Sequence, residues 1–132
     1  MDCGIDLGSR SVKLVVMRDE KIVDRRIFAT IDFYRQFGRR TGDGLMVDFG
    51  AIGVNDITGL AATGYGRNTI DVVGATVITE LKAHTCGAVW QTGCRDFTLL
   101  DLGGQDSKVI KVRDARMVGF ETNDKCAAST LM

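Results

Sequence analysis

The chain has 132 residues, enough for a domain with a real core. Hydrophobic residues make up 45% and charged residues 26%, a globular composition, and no apolar run approaches the roughly 18 residues of a membrane span, so a membrane protein is not expected. The 17 basic residues are balanced by 17 acidic ones, which removes the positive footprint of a nucleic-acid binder.

In chain order, the start carries neither a basic stretch nor an apolar signal core, so a cytoplasmic protein is expected. A short apolar strand runs into Asp6-Leu7-Gly8, and a tight turn leads to a β-rich stretch, Val12 to Met17. The polar pair Asp19-Glu20 turns the chain into a third strand near Ile22 to Ala29. Arg35, Arg39 and Arg40 form a local basic cluster that reads as a solvated face. Leu45, Met46, Phe49 and Ile52 recur at helical spacing. Ile57 to Thr63 reads as a short buried strand ending in Gly64-Tyr65-Gly66-Arg67-Asn68, which has only two of the three glycines of a dinucleotide loop. The spacing predicts a second helix from Val77 to about Trp90, with Thr76 as its N-cap. Glu80 and His84 share a face of it, either as a structural pair or as a link between two parts of a site. The cysteines, Cys3, Cys86, Cys94 and Cys126, form no C-x-x-C pair, so free thiols are expected.

The strongest signal is an internal repeat. A shift of 95 residues carries Ile5–Asp19 onto Leu100–Asp114 without a gap. Identical pairs are Asp6/Asp101, Leu7/Leu102, Gly8/Gly103, Lys13/Lys108, Arg18/Arg113 and Asp19/Asp114, and Val23/Val118 continues the register. Each copy reads as a three-stranded meander, the second built from Lys108 to Val112 and Met117 to Thr122 after the first strand. The expected order is βββαβα, then βββ and the start of a helix, an α/β protein.

One Asp-Leu-Gly turn is an ordinary β-turn. Two at matched positions of a duplicated α/β unit are expected to face each other across a cleft. There, glycine-rich turns offer backbone N–H groups to phosphate oxygens, and Asp6 and Asp101 are placed to hold Mg²⁺ through water. Such an arrangement suits phosphoryl chemistry, in which positioning and charge neutralisation dominate. A Walker-type G-x-x-x-x-G-K-[ST] loop is absent from the sequence.

At these residues the chain resembles the superfamily of acetate and sugar kinases, heat-shock chaperones and actin. Within it, GIDLGSRSVK, ATGYGRN, ITELKAH, LLDLGGQDSKVIKV and TNDKCAAS resemble the activators of 2-hydroxyacyl-CoA dehydratases and the ATPase subunits of benzoyl-CoA reductase, over nearly the whole chain and in the family's order. The resemblance implies a ribonuclease H-like (actin-like ATPase) fold. Residues 1–95 would be the first lobe with the first phosphate loop. Residues 96–132 would begin a second, incomplete lobe with the second phosphate loop and the start of a cluster helix.

It further implies a homodimer bridged by a 4Fe–4S cluster. ATP hydrolysis to ADP would drive a low-potential electron, received from a donor such as ferredoxin or flavodoxin, into a dehydratase partner. On the same resemblance Asp6, Gly8, Ser9, Arg10 and Ser11 take the first phosphate loop, and Asp101, Gly103, Gly104 and Gln105 the second, with Gln105 positioning water. Cys126 matches a cluster ligand. It follows the N-cap residues Asn123 and Asp124, and a cysteine in a first helical turn is acidified, although a small buried hydrophobe fits there too.

Arg10 and Val12 depart from the small residues common in the family's first loop. The family continues beyond Cys-Ala-Ala-Ser with a second cluster cysteine and the adenosine-binding part, so the sequence reads as truncated, with ATPase activity of the chain itself left open. A small-molecule kinase of the same superfamily, or a self-associating remnant, are the alternatives.

Overall fold

The computed structural model describes residues 1–64, 71–103 and 106–123. In chain order the elements are β1 (Asp2–Leu7), β2 (Ser11–Arg18), β3 (Lys21–Ala29), α1 (Thr30–Phe37), β4 (Gly38–Thr41), β5 (Gly44–Val47) and α2 (Phe49–Ile52). Then follow β6 (Gly59–Gly64), β7 (Thr76–Val77), α3 (Glu80–Thr92), β8 (Phe97–Leu102), β9 (Ser107–Arg113) and β10 (Arg116–Asn123). They group into two compact units, Met1–Thr79 and Glu80–Met132. Among the described residues no helix is long and apolar enough to cross a membrane.

The first unit is built on a five-stranded sheet of order β3-β2-β1-β6-β7. β1, β2 and β3 form an antiparallel meander, and β6 joins β1 in parallel. Alternation along the strands sends Cys3, Ile5 and Leu7 with Val12, Leu14 and Val16 to one buried face. Phe33 of α1, Leu45 and Val47 of β5, and Ile52 belong to the same core cluster. Asp2, Gly4 and Asp6 therefore stand on the opposite face of β1, and the core holds Asp6 in place from behind.

The second unit is the antiparallel meander β8-β9-β10 with α3. Ile110 and Val112 are fully buried on one face of it. Leu100 and Leu102 point to the other and are 62% and 78% exposed, so this sheet has one packed face and one open one.

The repeat seen in the sequence is reproduced in backbone detail. Asp19 and Glu20 both have positive φ, as do Asp114 and Ala115 at the equivalent hairpin. Two consecutive positive-φ residues make the hairpin turn whose twist matches that of the strands it joins. The register skips Val23 where β2 meets β3 and Val118 where β9 meets β10, so the bulge recurs at the same repeat position. Asp6 lies opposite Lys13, and Asp101 opposite Lys108.

Elsewhere the structure departs from the expected elements. Leu45 and Met46 lie in β5, and only Phe49–Ile52 is helical, as the short α2. Helical spacing misleads there because Asp48 caps a new helix, its Oδ1 accepting from Ala51 N at 3.0 Å, and Gly53 ends it at φ 93°. Helix α1, unforeseen from spacing, is set by an aromatic cluster: the Phe33 ring lies 5.5 Å from Phe28 and 5.8 Å from Phe37. Thr76 and Val77 pair as β7 with Ala61 and Ala62, so α3 starts at Glu80. The helix expected to start near Cys126 falls outside the described residues, and Asn123, expected as part of its N-cap, closes β10.

Candidate functional site

The first Asp-Leu-Gly turn closes on itself. Gly8 N donates to Ser11 O at 3.0 Å, and a Cβ on Gly8 would sit 2.5 Å from that oxygen, so only glycine fits. The turn is pinned from α1, where Thr30 N donates to Arg10 O at 3.0 Å and Thr30 Oγ1 to Gly8 O at 2.8 Å. Ser9 and Arg10 are exposed at its tip, and Ser11 is half-buried.

The second turn repeats the device: Gly103 N donates to Asp106 O at 2.9 Å, and a Cβ on Gly103 would approach that oxygen to 3.0 Å. Gly104 and Gln105, the expected phosphate and water-positioning residues here, lie outside the described residues, as does Cys126.

Each turn follows a half-buried carboxylate. Asp6 ends β1, and β6 runs beside it in parallel with Thr63 opposite Asp6 and Gly64 opposite Leu7. Gly64 has φ 113°, and a Cβ there would lie 2.5 Å from Asp6 Oδ1 and 2.6 Å from Leu7 N. Gly64 thus sets how closely the backbone approaches the carboxylate. The buried Thr63 hydroxyl has no hydrogen-bond partner among the described residues, a polar group left for something else to satisfy.

Asp101 ends β8 within a denser network. His84 Nε2 lies 3.3 Å from Asp101 Oδ2. The Lys108 ammonium is 3.4 Å from Asp106, 3.6 Å from Glu80 and 4.0 Å from Asp101. Its side chain is only 15% exposed, which is tolerable for a cation held by three carboxylates. Burial lowers the Lys108 pKa, but Asp106, Glu80 and Asp101 outweigh it and raise it above the ordinary value. Glu80 and His84 do share a helix face, and their partners are Lys108 and Asp101.

Sequence reasoning passed over Gly64, Thr63 and Lys108. The repeat offered a signal for the last, since each copy places Lys seven residues after the key Asp, opposite it in the hairpin.

The carboxylates suit Mg²⁺, which takes one or two protein carboxylates and completes its shell with phosphates and water. Among the described residues no three His, Cys, Asp or Glu side chains come together to hold a metal. An iron–sulfur cluster is held by a set of cysteine thiolates. Cys3 is buried while Cys86 and Cys94 are exposed. Burial pushes the Cys3 thiol up to about 11 from 9.0. Iodoacetamide at pH 8 is therefore expected to modify Cys86 and Cys94 in the native protein and to spare Cys3 until unfolding, read by mass spectrometry of the peptides. The same shift gives Cys3 a stabilising share that is intact below about pH 9 and lost as pH rises toward about 11.

The chain is 35% identical over 130 residues to the (R)-2-hydroxyglutaryl-CoA dehydratase activating ATPase of Acidaminococcus fermentans, covering 96% of this chain and 48% of that protein. The crystal structure of component A of the A. fermentans (R)-2-hydroxyglutaryl-CoA dehydratase superposes with a TM-score of 0.68 at 30% identity, over 96% of this chain and 48% of that one. The activator of the 2-hydroxyisocaproyl-CoA dehydratase from Clostridium difficile, solved with bound ADPNP, gives 0.62 at 28% identity, over 96% and 46%. The chain thus spans about half the length of the curated relatives it matches, and its fold is that of the actin-like ATPases. The sequence pattern of the BadF/BadG/BcrA/BcrD ATPase family matches residues 3–131, and the chain belongs to that family.

Proposed function

We propose that this chain is the phosphate-binding part of an ATP-dependent activator of a 2-hydroxyacyl-CoA dehydratase or a benzoyl-CoA reductase-like partner. The observation that carries the reading is the pair of turns, each a half-buried Asp followed by a glycine turn closed by one backbone bond, Gly8 to Ser11 and Gly103 to Asp106. The named activities of its relatives support it.

In this reading residues 1–95 form one lobe and 96–132 open the second. ATP phosphates take backbone and side-chain donors from Gly8, Ser9, Arg10, Ser11, Gly103 and Gly104. Asp6 and Asp101 hold water on Mg²⁺, which neutralises phosphate charge when bound. Gln105 orients a water toward the terminal phosphate. The core behind β1 and the network at Asp101 fix both carboxylates before the nucleotide arrives, so little ordering remains to be done on binding.

Cys126 is assigned as a ligand to a 4Fe–4S cluster shared by a homodimer, on the likeness to activators alone. The same likeness supports a cytoplasmic setting, a ferredoxin- or flavodoxin-type donor, and low-potential electron transfer to the dehydratase.

Anaerobic calorimetry with Mg-ATP tests the nucleotide reading. Saturable binding by the wild-type chain is expected, weakened on the order of tenfold or more in both Asp6→Asn and Asp101→Asn, since each removes a charged partner of the hydrated cation. Binding that survives unchanged in both variants, or is absent from the wild type, would refute it.

A further inference from the structure

The two copies of the repeat share a cross-strand Asp–Lys pair and differ in what surrounds it. Lys13, opposite Asp6, is exposed. Lys108, opposite Asp101, is mostly buried, because α3 brings Glu80 to within 3.6 Å of it and His84 to within 3.3 Å of Asp101. Two residues one helical turn apart thus grip the two members of a single strand pair. Lys108 also reaches Asp106, whose carbonyl closes the second turn. Lys108 faces three carboxylates, Glu80, Asp101 and Asp106, and Asp101 is the farthest of them at 4.0 Å. Without Lys108 the carboxylates of Glu80, Asp101 and Asp106 would lose the cation they share beside the turn, which an approaching polyanion would meet as added negative charge.

We infer that Lys108 is a positioning residue that ties the first turns of α3 to the end of β8 and supplies the charge that lets the Asp101 turn accept phosphate. This rests on the reading of that turn as a nucleotide site. A divalent cation arriving with ATP brings its own positive charge to Asp101. The loss of Lys108 is therefore felt most when the metal is absent.

The test is calorimetry of the whole chain with ATP, in Mg²⁺ and in EDTA, alongside amide hydrogen exchange without nucleotide. In Lys108→Met, affinity for metal-free ATP is expected to fall on the order of tenfold more than affinity for Mg-ATP, the scale of one lost charge pair in a half-shielded site. Lys108→Arg should restore the ratio of the two affinities. Glu80→Gln should keep that ratio within about twofold, yet speed exchange in the first turns of α3 severalfold, as Lys108→Met does and Lys108→Arg does not. Equal losses in both buffers would reduce Lys108 to a packing role and overturn the charge inference. Unchanged exchange in both Lys108→Met and Glu80→Gln would overturn the tie to α3. A wild-type chain that binds ATP in neither buffer would sink the nucleotide reading together with the charge role, and exchange would still decide the tie. Should Lys108→Met fail to fold, the milder Lys108→Gln takes its place in both readouts, with the same outcomes deciding the charge role and the tie.

Discussion

Gly64→Ala is expected to cost the first unit roughly 3–5 kcal/mol, close to the whole stability of many small domains. Two effects add. At φ 113° the backbone lies where side-chain-bearing residues are rare, a strain of about 1–3 kcal/mol. The new methyl would also meet Asp6 Oδ1 at 2.5 Å and the Leu7 N and O at 2.6 and 2.5 Å, overpacking worth another 1–3 kcal/mol. Neither relief is easy, since two of the three contacts are backbone atoms of a central strand. The third is the carboxylate assigned to the cation, so any variant that folds should also bind Mg-ATP more weakly. Gly4→Ala is the control. It lies on the same strand and face as Asp6, and nothing stands within 4 Å of its Cβ. Urea unfolding followed by circular dichroism should show a large drop in midpoint for Gly64→Ala and a change within about 0.5 kcal/mol for Gly4→Ala. Two equal midpoints would mean that β6 can shift away from β1, and Gly64 would lose its role in placing Asp6.

How much of this was legible in the sequence depends on the range of the interaction. The meanders were, because alternation in Val12–Met17 and its counterpart is a period-two signal that strands read locally. The repeat went further. Its register anticipated matching turns at Gly8 and Gly103, and the bulge falls at Val23 and Val118, a position the alignment marked only as a continued identity. Leu45, Met46, Phe49 and Ile52 misled because their spacing satisfies a helix, while what decides the matter is pairing: Arg39 with Met46 and Arg40 with Leu45 across the β4–β5 hairpin. The chemistry of Thr76 alone predicts a cap, and the parallel pairing with Ala61 claims it for β7. Gly64 and Lys108 matter through partners at Asp6, Glu80 and Asp106. No local pattern names a partner that is brought near by a parallel strand or a crossing helix.

Phe33→Ala is expected to destabilise the first unit by about 3–5 kcal/mol, through a different route. Phe33 is fully buried. Its ring packs at centroid distances of 5.5 Å from Phe28, 5.8 Å from Phe37 and 6.0 Å from Tyr34, tilted or edge-on, as aromatic quadrupoles prefer. Truncation removes the largest fully buried side chain among the described residues and leaves a cavity among rings that cannot collapse without moving α1. The consequence for the site follows from how α1 is attached. Thr30, its first residue, holds the Gly8 turn through Gly8 O and Arg10 O, so a loosened α1 loosens that turn. Thermal unfolding should show the stability loss. Amide exchange at Gly8 and Thr30 should rise in step with it, because their donated hydrogen bonds close the turn and tether it to the helix. Phe33→Leu, which keeps most of the buried volume, should recover much of the stability and of the protection at Gly8. If Phe33→Ala lowers stability while Gly8 keeps its protection relative to global unfolding, the turn is held by β1 and β2 alone. The tether from α1 would then be incidental to the Gly8 turn.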